Sequence, residues 1–204
     1  MSVAIIKYNA GNIYSVVNAL GRLGVEPVIT DSPEELAKAS HVIFPGQGSA
    51  QTTMRYLRQH GLDNVIRSLR QPVLGICVGQ QLLCAHSDEG DVDCVGIFPE
   101  NVRKFTPDDH ELKVPEMGWN RLRDIKSPLF KGVKEGDYVY FVHSFYVPTC
   151  EFTIATADYS VPYSAALRRD NFWAVQFHPE KSGAVGELIL RNFLEMDPSK
   201  EKDE

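Results

Sequence analysis

Two hydrophobic patterns alternate along the first half of the chain. A short apolar run at residues 3–8 is bounded by turn-forming residues and predicts a buried strand, and residues 26–30, 41–44 and 73–76 are predicted as further strands. Between them, apolar side chains recur every three or four residues, which predicts helices that include 50–70, broken near Gly61, and 78–86. Gly24 is a typical helix end, and Ser32 followed by Pro33 a typical helix start. This order predicts an α/β fold with an open, mostly parallel sheet and helices on both faces.

The middle of the chain has another pattern. Residues 95–169 contain short strand-like runs, such as 101–105, 138–144 and 152–157, and no long helical repeat. We expect them to form antiparallel additions at the edge of the sheet. A strand at 172–177 and an amphipathic helix ending near Met196 follow. Because no linker or internal repeat interrupts the chain, we expect one domain over residues 1–196 and a polar C-terminal tail over 197–204.

Composition narrows the class of protein. The 204 residues carry 21 basic and 27 acidic side chains, a formal net charge of −6, with 43% hydrophobic and 24% charged residues. These values are typical of a globular domain and exclude extensive disorder. The pI near 5.5 argues against a nucleic-acid-binding face.

The cysteines and the N-terminal residues indicate the cellular compartment of the protein. Cys77, Cys84, Cys94 and Cys150 have irregular spacing that suits neither a zinc site nor a disulfide framework, so no metal is expected. The first residues lack the basic segment of a signal peptide, and no apolar run is long enough to span a membrane. We therefore expect a soluble, cytoplasmic protein with reduced thiols.

Cys77 is the first candidate for chemistry. It lies between a predicted strand and a predicted helix, in the run Gly75-Ile76-Cys77-Val78-Gly79. Small residues on both sides permit the tight turn of a nucleophile elbow, and a helix N-terminus favours the thiolate. The following amide, of Val78, can donate to a developing oxyanion. The alternative is a buried, inert cysteine, which is the commonest state of a free one.

A second cluster follows a later strand, in the run Phe177-His178-Pro179-Glu180. Residues two apart on an extended chain point to the same side, so Glu180 can reach the ring of His178. A thiol nucleophile needs a base of this kind, oriented by a third group. Alone the run would be an ordinary loop, but it falls at the same sheet edge as Cys77 and so forms a credible triad.

A third segment, Pro45-Gly46-Gln47-Gly48, also follows a strand. Its amides could face an oxyanion or bring the backbone close to a substrate. Phosphate binding is disfavoured because the Lys-Ser/Thr of a P-loop is absent. An ordinary tight turn remains the alternative.

Together these segments resemble a known family. Gly75-Ile76-Cys77-Val78-Gly79-Gln80-Gln81-Leu82-Leu83 and Gln176-Phe177-His178-Pro179-Glu180-Lys181-Ser182 resemble the class I, triad-type glutamine amidotransferases, whose fold is flavodoxin-like. Tyr8-Asn9-Ala10-Gly11-Asn12, Val114-Pro115-Glu116-Met117-Gly118-Trp119-Asn120 and Tyr140-Phe141-Val142-His143-Ser144-Phe145-Tyr146 resemble the glutaminase subunits of imidazole glycerol phosphate synthase, of histidine biosynthesis. The resemblance extends from about residue 3 to about residue 196.

The resemblance implies residue roles. Cys77 would attack the side-chain amide of L-glutamine, His178 would move the proton and Glu180 would orient His178. Amides of Val78 and of the Gly46, Gln47 and Gly48 loop would hold the oxyanion. Gln81, with the backbone of His143, Ser144 and Phe145, would bind the amino-acid end of glutamine. No cofactor would be needed.

The same resemblance implies a partner, a (βα)8-barrel cyclase subunit that would use the ammonia to form imidazole glycerol phosphate and aminoimidazole carboxamide ribotide. Its interface would include Asn12, Met117, Trp119, Tyr140 and Lys181, although Trp and Tyr are more often core residues on composition alone. We expect a heterodimer, with no nucleic-acid or membrane partner.

Some alternatives remain, and some positions differ from the usual pattern. The chain could serve another synthase, such as pyridoxal phosphate synthase, which these motifs fit poorly, or be a catalytically silent regulatory subunit. Glu116 stands where the subunits usually have His, Gln47 where a small aliphatic residue is usual, and Gln80 where Met or Leu is commoner.

Overall fold

The computed structural model describes residues 2–8, 13–109 and 111–197. Two short 3-10 turns, Pro128–Phe130 and Pro179–Lys181, accompany the regular elements. In chain order the helices and strands are β1 (Val3–Ile6), α1 (Ile13–Arg22), β2 (Val28–Thr30), α2 (Pro33–Lys38), β3 (His41–Phe44), α3 (Ala50–Gln59), α4 (Leu62–Ser68), β4 (Val73–Ile76), α5 (Val78–Leu82), β5 (Cys84–Ser87), β6 (Val92–Asp93), β7 (Phe98–Lys104), β8 (Glu116–Arg121), β9 (Tyr138–His143), β10 (Phe145–Tyr146), β11 (Thr153–Tyr159), β12 (Val161–Arg169), β13 (Phe172–Val175) and α6 (Gly183–Leu194).

The main sheet has seven strands in the order β11-β12-β13-β4-β3-β1-β2. The pairings from β13 through β4, β3 and β1 to β2 are all parallel. β12 and β11 extend this sheet as antiparallel strands beyond β13. The predicted open, mostly parallel sheet with antiparallel edge additions is therefore confirmed.

The centre of the sheet is covered on both faces. Every residue of β1, β3, β4 and β13 is buried, which explains why these strands are continuous apolar runs rather than alternating ones. The predicted bounds of β3 and β4 agree with the structure residue for residue. Because the strands are parallel, the loops after β3, β4 and β13 meet at one edge.

Local signals explain several helix boundaries. The Oγ of Ser32 accepts a hydrogen bond from the Glu35 N–H at 3.4 Å and begins α2, with Pro33 in its first turn. The predicted break near Gly61 separates α3 from α4, and Gly61 has a φ of 66°. That left-handed conformation is readily available only to glycine.

The predicted helix over 78–86 is wrong in its second half. α5 ends at Leu82, and Cys84–Ser87 form β5, which pairs with β7 in parallel and with β6 antiparallel. Cys and Ala in this run have no strong strand signal of their own. Pairing with β7, which follows later in the chain, determines the conformation.

The middle strands also do more than extend the main sheet. β10, β7, β5 and β6 form a separate four-stranded sheet, and β8 and β9 form an antiparallel pair. In that pair Glu116 lies opposite His143 and Trp119 opposite Tyr140. Among the described residues, no helix is long and apolar enough to cross a membrane.

Candidate active site

Cys77 occupies a sharp turn between β4 and α5. Its backbone has φ 53° and ψ −110°, a region that residues with a side chain rarely occupy. Its N–H donates to the carbonyl of Val175 at 2.8 Å, which ties the turn to the end of β13. The predicted nucleophile-elbow geometry is therefore present. Strain of this kind persists where the surrounding structure enforces it, and it concentrates at functional sites.

His178 and Glu180 meet Cys77 at this edge. The Nδ1 of His178 lies 2.7 Å from the Oε1 of Glu180, and both side chains are almost fully buried. The Cys77 side chain acts on the same ring, since it is one of the groups that raise the pKa of His178. The three predicted residues thus form a continuous thiol–imidazole–carboxylate chain.

The electrostatics of this chain favour a charged imidazole. Burial by itself lowers the pKa of His178, but negative charge at Cys77 and the Glu180 carboxylate, each with its hydrogen bond, outweigh burial and raise that pKa from 6.5 to about 10. The direction is consistent with an imidazolium flanked by a thiolate and a carboxylate.

The segment Pro45-Gly46-Gln47-Gly48 packs backbone to backbone against the elbow. A Cβ added at Gly46 would lie 2.5 Å from the Val78 nitrogen, and one at Gly79 would lie 2.1 Å from the Phe44 carbonyl oxygen. Only glycine leaves room for these approaches. The loop is therefore held next to the Val78 amide, which begins α5 and has no partner within that helix.

Tyr8 is hydrogen-bonded to the same loop. Its hydroxyl donates to the Pro45 carbonyl, and the nearby backbone amide of Gln47 acts to lower its pKa. Burial, and then the negative charge at Cys77, raise the pKa of Tyr8 far above its usual value, so its hydroxyl stays protonated.

A cavity of about 400 Å³ opens over Cys77. The lining includes every predicted catalytic, oxyanion and substrate-binding residue except Glu180, which lies behind His178. The residues of the lining are Gly46, Gln47, Gly48, Cys77, Val78, Gln81, Glu89, Pro115, Val142, His143, Ser144, Phe145 and His178. A cavity of this size accommodates a small polar metabolite.

Hydrogen bonds tie the cavity floor together. The Nε2 of Gln81 donates to the Phe145 carbonyl at 3.0 Å and to the Oε1 of Gln176 at 2.9 Å, and the Gln176 Nε2 lies 3.7 Å from the Cys77 sulfur. The Nδ1 of His143 approaches the same Phe145 carbonyl at 2.7 Å. Gln81 is therefore already oriented by its neighbours.

Glu116 occupies a buried position behind this floor. Its Oε2 accepts a hydrogen bond from the Tyr163 hydroxyl at 2.9 Å and lies 3.1 Å from the His143 Nε2. Its Oε1 accepts from the Asn120 side chain at 2.8 Å. Unlike a surface carboxylate, Glu116 is a structural part of the wall that carries His143.

Among the residues of the site that the sequence did not assign, Glu89 and Gln176 are polar and hydrogen-bonded. Glu89 lines the cavity, and its Oε2 accepts a hydrogen bond from the Ala50 N–H at 2.7 Å. The sequence pattern predicts a helix before it, whereas the structure has β5 there, which brings Glu89 to the cavity lining. Gln176 was within a recognised motif, but its contact with Gln81 has no signal in the sequence.

The residues predicted at a partner interface lie near one another on β8, β9 and the adjoining turn. Met117 is 66% and Trp119 56% exposed, so Trp119 is not a core residue. Tyr140 is half-buried, with its ring 6.0 Å from the Trp119 ring and 6.0 Å from the Lys181 Nζ. Asn12 lies outside the described residues.

The other cysteines are not part of the site. All four cysteines are free thiols, and burial raises the pKa of Cys84, of Cys94 to about 12, and of Cys150. Across the described ranges, no group of three or more His, Cys, Asp or Glu side chains could hold a metal ion.

Sequence comparisons agree with the geometry. The model of the family "Glutamine amidotransferase class-I" matches residues 4–196. The imidazole glycerol phosphate synthase subunit HisH of Bacteroides fragilis is 60% identical over 196 residues, which cover 96% of this chain and all of that protein. The subunit HisH of Escherichia coli K12 is 44% identical over 198 residues, with the same coverage.

Solved structures show the same fold at much lower identity. A glutamine amidotransferase crystal structure has a TM-score of 0.72 at 20% identity and covers 96% of this chain and 98% of its own. The PurLQS structure from Thermotoga maritima has a TM-score of 0.69 at 16% identity and covers 95% of this chain and 97% of its matched chain. The chain belongs to the class-I glutamine amidotransferases, a family of enzymes, and within them to the family of the imidazole glycerol phosphate synthase subunits HisH.

Proposed function

We propose that the chain is the glutaminase subunit of an imidazole glycerol phosphate synthase of histidine biosynthesis and hydrolyses L-glutamine to glutamate and ammonia. The observation that carries this proposal is the convergence of Cys77, His178 and Glu180 beneath a cavity that fits an amino acid. The family of the chain and its relatives named HisH support the choice of substrate and pathway.

In the first half of the reaction the Cys77 thiolate attacks the Cδ carbon of the glutamine side chain. The carbonyl π electrons move to oxygen, and a C–S bond forms. His178, held as an imidazolium by Cys77 and Glu180, then donates a proton to the nitrogen, and the C–N bond breaks to release ammonia. Glu180 orients the ring and stabilises its positive charge.

In the second half water hydrolyses the thioester. The neutral His178 removes a proton from water as the oxygen attacks the same carbon, and the C–S bond breaks to restore the thiolate and release glutamate. Both tetrahedral intermediates carry an oxyanion next to the Val78 amide and the loop of Gly46, Gln47 and Gly48. The Val78 amide begins α5 and has no acceptor within that helix, so it is the donor already available.

The α-ammonium and α-carboxylate groups of glutamine have candidate partners in the lining of the cavity. We assign the Glu89 carboxylate to the α-ammonium of glutamine, because it is the acidic side chain that lines the cavity. We assign Gln81 and the backbone of His143, Ser144 and Phe145 to the rest of the amino-acid end, because they line the same cavity. This arrangement requires both charges of a free amino acid, which favours glutamine over a glutamine side chain within a peptide.

The partner is a (βα)8-barrel cyclase subunit. The exposed apolar side chains Met117 and Trp119, beside Tyr140 and Lys181, supply the surface on which it would bind, and Asn12 is assigned to the same interface from the resemblance alone. Aromatic side chains of this kind dominate the energetics of protein interfaces.

Labelling with the glutamine analogue 6-diazo-5-oxo-L-norleucine tests the proposal. With the cyclase and its ribonucleotide ligand present, we expect one adduct, on Cys77, located by peptide mass spectrometry and blocked by excess glutamine. The other three thiols are internal controls, because burial raises their pKa values and suppresses the thiolate. No adduct at Cys77 in the complex would identify a catalytically silent subunit instead.

A further inference from the structure

Ser182 follows the turn that carries His178 and Glu180, and it is buried. It directly precedes α6, in the N-cap position of that helix. A serine in this position normally accepts a hydrogen bond from an N–H of the first helical turn. Ser182 makes no such side-chain bond, so its hydroxyl is committed elsewhere.

The hydroxyl instead joins the loop of His178 to strand β9. The Ser182 Oγ donates to the His178 carbonyl at 2.6 Å and accepts from the Tyr140 N–H at 2.9 Å. The His178 N–H in turn donates to the Tyr140 carbonyl at 2.9 Å. These three bonds close a ring that contains both peptide groups of Tyr140, both of His178 and one side chain, Ser182.

We propose that Ser182 is a positioning residue for catalysis, which fixes the backbone of His178 and couples it to the peptide of Tyr140. This inference rests on the proposed glutaminase function. The Nδ1 of His178 is held by Glu180, but that bond sets only the rotation of the ring. The position of the ring relative to Cys77 depends on the backbone, which Ser182 and Tyr140 hold from both sides.

The side chain of Tyr140 connects this group of three hydrogen bonds to the molecular surface. Tyr140 is half-buried beside the exposed Trp119, and the Lys181 Nζ lies near its ring. A displacement of β9 by a bound partner therefore reaches His178 through hydrogen bonds rather than through side-chain packing alone. Ser182 is the one side chain in this connection, so substitution can weaken it without changing the interface or the triad.

A graded pair of substitutions tests this role in the complex with the cyclase subunit. Ser182→Ala removes both bonds of the hydroxyl, and Ser182→Cys keeps the shape but bonds weakly. We expect kcat for glutamine hydrolysis to fall roughly ten- to a hundredfold in the Ala variant, because small misplacements of a base are costly. The kcat of the Cys variant should lie between those of the wild type and the Ala variant. In both variants the KM for glutamine should stay within about twofold of the wild type, and synthesis from ammonium salts should be unchanged.

Ser164→Ala is the matched control. Ser164 is also a fully buried serine with hydrogen bonds, to the Pro148 carbonyl at 2.8 Å and the Thr153 hydroxyl at 2.7 Å, but it is not part of the cavity lining. The Ser164→Ala variant should lose thermal stability and keep the kcat of the wild type. An unchanged kcat in Ser182→Cys and in any folded Ser182→Ala would overturn the proposal, as would an equal loss in Ser164→Ala. An inactive wild-type complex would instead refute the proposed function.

Discussion

At the scale of single residues, the site depends on a strained cysteine and a charged histidine. Cys77 has a left-handed φ of 53°, a conformation that costs of order 1–3 kcal/mol for a residue with a side chain. The hydrogen bond from the Cys77 N–H to the Val175 carbonyl holds the residue in that conformation. The strain is thus local to the one residue that the proposed mechanism uses as nucleophile.

Replacing Cys77 by Ala should separate the two activities of the complex. Glutamine-dependent synthesis should fall by roughly 10³-fold or more, because no thioester can form. Synthesis from added ammonium salts should persist, since it needs only the cyclase. Both rates are measured in the same preparation, and equal loss of both would contradict the assigned role.

The same substitution should lower the pKa of His178. Cys77 contributes both charge and a hydrogen bond to the raised value of about 10, and without them the effect of burial, which lowers the pKa, has less opposition. NMR titration of the His178 ring measures the change, with the exposed His60 as a control. No downward movement would mean that Cys77 is not charged in the wild type.

A pH dependence of stability follows from the raised pKa of His178. Because the folded value lies above the unfolded one, the stabilisation is fully present below about pH 6.5 and is lost as the pH rises through about 10. Urea unfolding of the wild type and Cys77→Ala at several pH values should show the difference between the two shrinking across that interval. A difference independent of pH would contradict this account.

Glu180→Gln should be less damaging than His178→Ala. The amide still bonds to the ring, although it loses the charge, whereas the alanine variant has no base at all. In comparable triads the orienting carboxylate contributes roughly ten- to a hundredfold less than the base. The kcat values of the two variants in the complex give the order, and the reverse order would exchange the assigned roles.

At the scale of secondary structure, the site is built where the loops after β3, β4 and β13 meet. The contact of the Pro45–Gly48 segment with the elbow is so close that Gly46 and Gly79 have no room for a Cβ. The two loops therefore behave as one packed unit. Its geometry is set by backbone contacts, which sequence patterns do not display.

Gly46→Ala should destabilise the fold by about 2–4 kcal/mol and reduce glutaminase activity, because the new methyl group would overlap the Val78 amide. Gly21→Ala is the matched control. Gly21 lies in α1 with nothing within 4 Å of an added Cβ, so Ala should stabilise the protein by up to about 1 kcal/mol. Chemical denaturation measures both, and equal effects would contradict this reading of the contact.

The sequence predicted those elements whose signals are local. β3 and β4 were predicted to the residue because continuous apolar runs ended at Pro45 and Cys77, and the break at Gly61 was visible as a glycine. β5 was predicted as a helix because its strand conformation depends on pairing with β7, a contact distant in sequence. The triad could be predicted from its motifs, whereas Glu89 could not, because its position depends on β5.

At the scale of the whole molecule, the surface proposed for the partner and the cavity lie on connected elements. β9 carries Tyr140 toward the surface and His143 toward the cavity, so a partner that contacts this strand has a direct path to the site. The Gln47 amide lies close enough to the Tyr8 hydroxyl to act on its pKa, and it is the proposed oxyanion donor that we expect to become available when a partner binds.

The isolated chain should therefore have little glutaminase activity. Binding of the cyclase and its ribonucleotide ligand should raise kcat, because an additional donor to the oxyanion contributes about 10²- to 10³-fold. Glutamate formation by the chain alone, with the cyclase, and with the cyclase plus ligand tests this. High activity of the chain alone would show that the site is complete without a partner.

The order of strands in the main sheet has a consequence for synthesis of the protein. β13 lies directly beside β4, although nearly half of the chain separates them in sequence. A ribosome therefore completes β4 and the turn of Cys77, the proposed nucleophile, long before it makes β13 and the loop of His178, the proposed base. Until β13 docks, a nascent chain has Cys77 without His178, so it cannot release ammonia before its last strand is in place.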